Sequence, residues 1–132
     1  MMKIDIAEIM RIVIADDSAV IRQRLIRMLE DLKGVVVVGQ ADDVNMARNL
    51  VETLKPDVAI LDVRMPGGSG ADLVPDLKRM NPPPKVIMLT NYAYPENRKK
   101  CMDGGADFFF DKSTEFQRVI AVLKGMLGAQ PR

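Results

Sequence analysis

Four places in the chain set polar groups just after a short apolar run. Asp16 and Asp17 follow Arg11–Ala15 (RIVIA), Asp62 follows Val58–Leu61 (VAIL), Thr90 follows Lys85–Leu89 (KVIML) and Lys112 follows Asp107–Phe110 (DFFF). Three carboxylates converging on one rim repel one another unless a cation neutralises them, and oxygen ligands alone select a hard ion such as Mg2+. Because Mg2+ prefers one or two carboxylates plus water and phosphate oxygens, the site reads as a phosphate-handling one with open coordination positions. Lys112 could pair with a carboxylate at rest and with a phosphoryl oxygen afterwards, and the Thr90 hydroxyl could donate to a second oxygen.

Composition removes most other chemistry. The chain has no histidine and one cysteine, Cys101, so it carries neither a Cys/His zinc cluster, an internal disulfide, nor a histidine-based catalytic triad. Carboxylates, hydroxyls and lysines remain, and a reducing cytoplasm is the expected compartment. With 19 Lys+Arg against 18 Asp+Glu the formal charge is +1, which gives no global field for nucleic acid or an anionic membrane. No apolar run approaches the roughly 20 residues that span a bilayer, and the start (MMKIDIAEIM) is acidic and interrupted, unlike a signal peptide. At 132 residues, 48% hydrophobic and 28% charged, one compact domain is expected.

The elements that must carry these groups follow from periodicity. The runs above, with Val35–Gly39 (VVVVG), are short, β-branched or aromatic, and strand-like. Between them Ile21, Leu25, Met28, Leu29 and Leu32 share one helical stripe, as do Val44, Ala47, Val51 and Leu54. Leu73, Val74, Leu77 and Met80 mark a third helix, Pro95 to about Asp103 a weaker and mostly polar fourth, and Phe116, Val119, Ile120, Leu123 and Leu127 a fifth. Five strand-helix pairs with right-handed crossovers predict a flavodoxin-like (βα)5 doubly wound parallel sheet of strand order 2-1-3-4-5. Ligands bind such sheets beyond the carboxyl ends of the strands where the order reverses, here beside strands one and three.

Each residue alone also has a plainer reading. Asp16, Asp17 or Ser18 could simply cap the first helix. Asp62 could end a strand before the turn Val63-Arg64-Met65-Pro66-Gly67-Gly68, Thr90 could be a β-former or a helix cap, and Lys112 a solvated charge. Their coincidence on successive strand ends is what argues against those readings.

Taken together, ADDS with Asp16-Asp17, LDVRMPGGSG with Asp62, LTN with Thr90 and FFDKS with Lys112 resemble a response-regulator receiver domain of two-component signalling, over about residues 10 to 127. The resemblance implies that Asp62 is the phosphoacceptor, taking a phosphoryl group from a phosphohistidine on a histidine kinase or phosphotransfer protein. It implies that Asp17 ligates Mg2+ directly, with Asp16 acting through the metal or a water and the Arg64 backbone carbonyl completing the protein ligands. Lys112 and Thr90 are then catalytic partners of Asp62. Thr90 and, three residues before Lys112, Phe109 form the switch, although core packing must account for some of Phe108, Phe109 and Phe110. The implied readout face is the fourth helix, fifth strand and fifth helix, where Arg98, Lys99 and Lys100 lie beside Tyr92 and Tyr94; a solvated helix face is the competing reading.

Three departures from the family's common pattern bear on behaviour. Asn91 follows Thr90, Arg64 and Tyr92 are bulky at the positions flanking the pocket, and Ser113 stands where proline is common. Arg64, Asn91 and Tyr92 are expected to crowd water's approach to phospho-Asp62 and prolong its lifetime. Phe109, lacking a tyrosine hydroxyl, is expected to favour burial.

The expected organisation is an extension over residues 1–9, a receiver domain over 10–127 and a tail over 128–132, either stand-alone or excised from a longer regulator. Such a receiver would be a regulatory switch that catalyses its own phosphoryl transfer and slow dephosphorylation, cytoplasmic, acting through a downstream protein target and not through direct nucleic-acid or membrane contact, as a monomer or weak phosphorylation-dependent dimer. Two other classes compete. A phosphatase with a phosphoaspartyl intermediate would want an acid where Arg64 stands. A nucleotide- or flavin-binding module could use Gly67–Gly70 (GGSG) as a phosphate loop, but no GxGxxG or Walker pattern follows the first strand.

Overall fold

The computed structural model describes residues 9–129, so the expected N-terminal extension lies almost wholly outside the described residues. Its strands are β1 (Met10–Ala15), β2 (Val35–Ala41), β3 (Val58–Leu61), β4 (Lys85–Thr90) and β5 (Phe108–Asp111). They form one parallel sheet in the order β2-β1-β3-β4-β5, the order expected. The helices are α1 (Ala19–Glu30), α2 (Val44–Leu54), α3 (Gly70–Lys78), α4 (Pro95–Asp103) and α5 (Arg118–Ala129). A two-residue antiparallel ladder pairs Arg64–Met65 with Gly68–Ser69 between β3 and α3.

Strand alternation divides the core. Ile12 and Ile14 of β1 point to the face that α1 and α5 cover with Leu25, Leu29, Val119 and Leu123. Val13 and Ala15 point to the other, covered by α2, α3 and α4 through Ala47, Val51, Leu73, Leu77 and Cys101. With both faces covered, β3 is buried at all four positions, which explains its unbroken VAIL run.

Element ends differ from the pattern by a residue or two, because pairing decides them. Thr90 is the last residue of β4, paired with Asp111, and β2 runs on to Ala41, paired with Ala15. Leu32, Met80 and Phe116 belong to the apolar stripes yet lie just outside their helices, and α5 includes Gly128 and Ala129 of the expected tail. Pro95 occupies the first turn of α4, as expected, and Cys101 is that helix's buried residue.

Gly70, the first residue of α3, sits hard against the backbone of β3's end. A Cβ there would stand 1.9 Å from the backbone oxygen of Asp62, while one at Gly125 on α5 would meet nothing within 4 Å. Gly70→Ala is therefore expected to cost about 3 kcal/mol or more, because a backbone oxygen cannot yield as a side chain does. Gly125→Ala should gain about 0.5–1 kcal/mol from helix propensity. Urea unfolding midpoints of the two variants check the contrast.

Candidate phosphoryl-acceptor site

The carboxyl ends of β1, β3, β4 and β5 bring the predicted residues together. Asp16 and Asp62 are each 3% exposed, Thr90 is fully buried and Lys112 is 8% exposed, whereas Asp17 is exposed. The Lys112 ammonium lies between the two buried carboxylates, donating to Asp62 Oδ2 at 2.8 Å and pairing with Asp16 Oδ2. The Lys112 backbone N–H donates to the Thr90 carbonyl at 2.9 Å, which ties the end of β5 to β4.

Helix capping does not consume the acids. Ser18 caps α1, its hydroxyl accepting from Ile21 N–H at 3.3 Å, and Asp16 Oδ1 accepts from Ser18 N–H at 2.9 Å. Burial pushes the Asp16 carboxyl up against the opposing pull of Lys112 and Ser18. Burial would lower Lys112, but its hydrogen bonds to Asp16 and Asp62 outweigh that and hold it above the ordinary lysine value.

One oxygen from each of Asp16, Asp17 and Asp62 can lie within 4.8 Å of the others. Asp62 Oδ1 is buried and has no hydrogen-bond partner among the described residues. Three clustered carboxylates thus share one ammonium that pairs with two of them, and Asp62 keeps one buried acceptor without a partner among the described residues. This donor set fits a hard divalent cation.

The flanking residues take definite roles. Arg64 lies over the Tyr92 ring at 4.4 Å, and both line the cleft with Asp17, Met65, Pro66 and Gly68. Thr90 Oγ1 accepts from Tyr92 N–H at 3.0 Å, Tyr92 meets Tyr94 edge-on at 6.4 Å, and Asn91 is exposed. On β5, Phe108 and Phe110 stack at 6.0 Å on the α1/α5 face, so Phe109 turns to the opposite face and is 3% exposed. Arg98 of α4 covers the Phe109 ring at 4.9 Å. The other two members of the basic cluster are already paired, Lys99 with Asp103 and Lys100 with Asp72, both at 2.6 Å.

Two site residues escaped sequence reasoning. Gly70 lies within the GGSG run, and its spacing after Asp62 is the one sequence hint of a close backbone approach. Arg22 donates to the Asp16 backbone oxygen at 2.5 Å and to Gln40 Oε1 at 3.1 Å; its one signal was a cation one turn into α1 after an acidic pair.

A sheet in this order, with acids at the ends of β1 and β3 and a lysine after β5, defines a class, and comparison with known proteins identifies it. Residues 12–124 match the family described as the response regulator receiver domain, and the chain belongs to that family. Receiver domains are regulatory switches in phosphorylation-dependent signalling and interact with histidine kinases or phosphotransfer proteins. The response regulator GacA of Pseudomonas aeruginosa is 31% identical over 120 residues, 91% of this chain and 56% of GacA. NarL of Mycobacterium tuberculosis is 35% identical over 117 residues, 88% of this chain and 54% of NarL. The solved signal receiver domain of M. tuberculosis NarL has a TM-score of 0.82 at 29% identity, covering 92% of this chain and 98% of that one. The isolated REC domain of RcsB from Salmonella enterica, in the presence of BeF3-, has a TM-score of 0.83 at 26% identity, with coverages of 94% and 92%. The chain spans about half the length of the curated relatives GacA and NarL. No helix among the described residues is long and apolar enough to cross a membrane.

The Lys112 geometry makes a pH-dependent prediction. Lys112→Met leaves Asp16 and Asp62 buried without their shared cation and should destabilise the domain at neutral pH by about 3 kcal/mol. Asp16, already pushed up, would rise further above its unfolded value, so the folded variant would bind more protons than the unfolded chain. The deficit should therefore shrink as pH falls through the carboxylate range, which urea titrations at several pH values would show.

Proposed function

We propose that Asp62 is the phosphoacceptor of this receiver, charged by a histidine kinase or phosphotransfer protein in a Mg2+-dependent reaction. The observation that carries the reading is the state of the Asp62 carboxylate: Oδ2 is anchored on Lys112 while buried Oδ1 has no partner among the described residues. Asp17, Asp62 and the Arg64 backbone carbonyl would hold Mg2+, with Asp16 acting through it or a water, and the ion would supply charge neutralisation to the phosphoryl oxygens.

The protein's own groups do the rest. Asp62 attacks the donor's phosphorus in line, its carboxylate forms the new P–O bond, and the donor histidine leaves as its N–P bond breaks. Lys112, released from one carboxylate, pairs with a phosphoryl oxygen. The Thr90 hydroxyl, which at rest accepts from Tyr92 N–H, keeps its own proton to donate to another. Phe109 then reports the change to the α4-β5-α5 face, where exposed Tyr94 and Arg98 meet a downstream protein target. Its output is made through protein contacts, not direct nucleic-acid binding.

The Arg64–Tyr92 stack lies beside the same cleft and, with Asn91, crowds the approach of hydrolytic water, giving a long-lived phosphoryl group. Treatment with acetyl phosphate and Mg2+ should add one phosphoryl group to the native chain by mass and none to Asp62→Asn; modification of the Asn variant at an equal level would refute the assignment. Arg64→Ala and Tyr92→Ala should each speed dephosphorylation several-fold, and unchanged decay in both would remove the crowding argument.

A further inference from the structure

Asp16 has a protein partner for every polar atom it carries. Its N–H donates to the Ala41 carbonyl at 3.0 Å, its carbonyl accepts from Arg22 Nη1 at 2.5 Å, Oδ1 accepts from Ser18 N–H at 2.9 Å and Oδ2 pairs with Lys112. Asp17 is the opposite case: it is exposed, and among the described residues its carboxylate enters no hydrogen bond or ion pair. What aims Asp17 is therefore its backbone, through the peptide unit that joins it to Asp16.

That peptide unit is held by Arg22. The guanidinium reaches the Asp16 carbonyl with Nη1 and Gln40 Oε1 with Nε, at 3.1 Å. Gln40 precedes Ala41, whose carbonyl takes the Asp16 N–H, so the contacts close a ring from β1 through α1 to β2 and back. Arg22 is itself fixed one helical turn beyond the cap, its N–H donating to the Ser18 carbonyl at 3.1 Å.

We infer that Arg22 is a positioning residue for the cation site, orienting the Asp16–Asp17 peptide so that Asp17 faces Asp62. The inference rests on the reading that these acids bind Mg2+. A planar fork suits the task because it fixes direction at two acceptors at once, which a lysine ammonium does not.

Charge and geometry make opposite predictions here, which renders the inference testable. Arg22 is a cation bound to the backbone of the acidic pair, so by Coulomb's law alone its removal should, if anything, strengthen Mg2+ binding. If it positions Asp17, its removal should weaken binding, on the order of 10-fold as for other groups that support a metal ligand.

Mg2+ titration of the full chain, followed by the amide NMR shifts of Asp17 and Asp62, would be run for the native protein, Arg22→Met, Arg22→Lys and Gln40→Leu. Urea unfolding without Mg2+ separates affinity from stability. The expected order of affinity is native, then Gln40→Leu, then Arg22→Lys and Arg22→Met, with the lysine variant weakened although its charge is kept. Unchanged or tighter binding in both Arg22 variants overturns the inference, as does a loss of stability alone. Should an Arg22 variant fail to fold, Gln40→Leu decides by the same criterion. No Mg2+-dependent shift in the native chain would overturn the metal reading itself, and this inference with it.

Discussion

A single buried ammonium organises this protein. Lys112 lies between Asp16 and Asp62, and each member of the trio would be costly to bury alone. Two carboxylates in contact with one lysine hold β1, β3 and the end of β5 in a fixed relation across the sheet. The same arrangement leaves the rim undercompensated, since Asp17 adds a third carboxylate and Asp62 Oδ1 stays open. An attraction that stabilises the resting fold therefore leaves a deficit of positive charge at the reacting end.

The parallel sheet makes that arrangement possible. All five strands present their carboxyl ends to one edge, and the order β2-β1-β3-β4-β5 sets β1 and β3 side by side. Ser18 supplies the helix cap that would otherwise draw on an aspartate, so Asp16 and Asp17 stay with the pocket. Gly70 lets α3 begin against the Asp62 carbonyl, where any side chain would collide. Small local choices of this kind keep the acids free for chemistry.

The surroundings of the pocket are coupled to it by contact. Thr90 joins the fourth strand to Tyr92, Tyr92 stacks under Arg64, and Phe109 packs beneath Arg98 on the far side of β5 from its aromatic neighbours. Lys99 and Lys100 are engaged with Asp103 and Asp72, so the basic run on α4 presents mainly Arg98 to the fifth strand. Charge at that face is thus largely internal to α3 and α4.

Sequence alone determined the sheet class, the five helices and the acidic rim, because apolar periodicity and strand-end polarity are local properties that survive without knowing any contact. It also placed Asp16, Asp17, Asp62, Thr90 and Lys112 on one edge, and the structure brings them there. It could not say which of Asp16 and Asp17 is buried, which of three successive phenylalanines faces α4, or where β4 and β5 end, since each depends on pairing and parity between distant strands. The roles of Arg22, Gln40 and Gly70 were only faintly legible for the same reason. Their importance lies in a carbonyl of Asp16 or Asp62 that only the folded chain brings within reach, and a residue type by itself does not say which backbone oxygen it must meet.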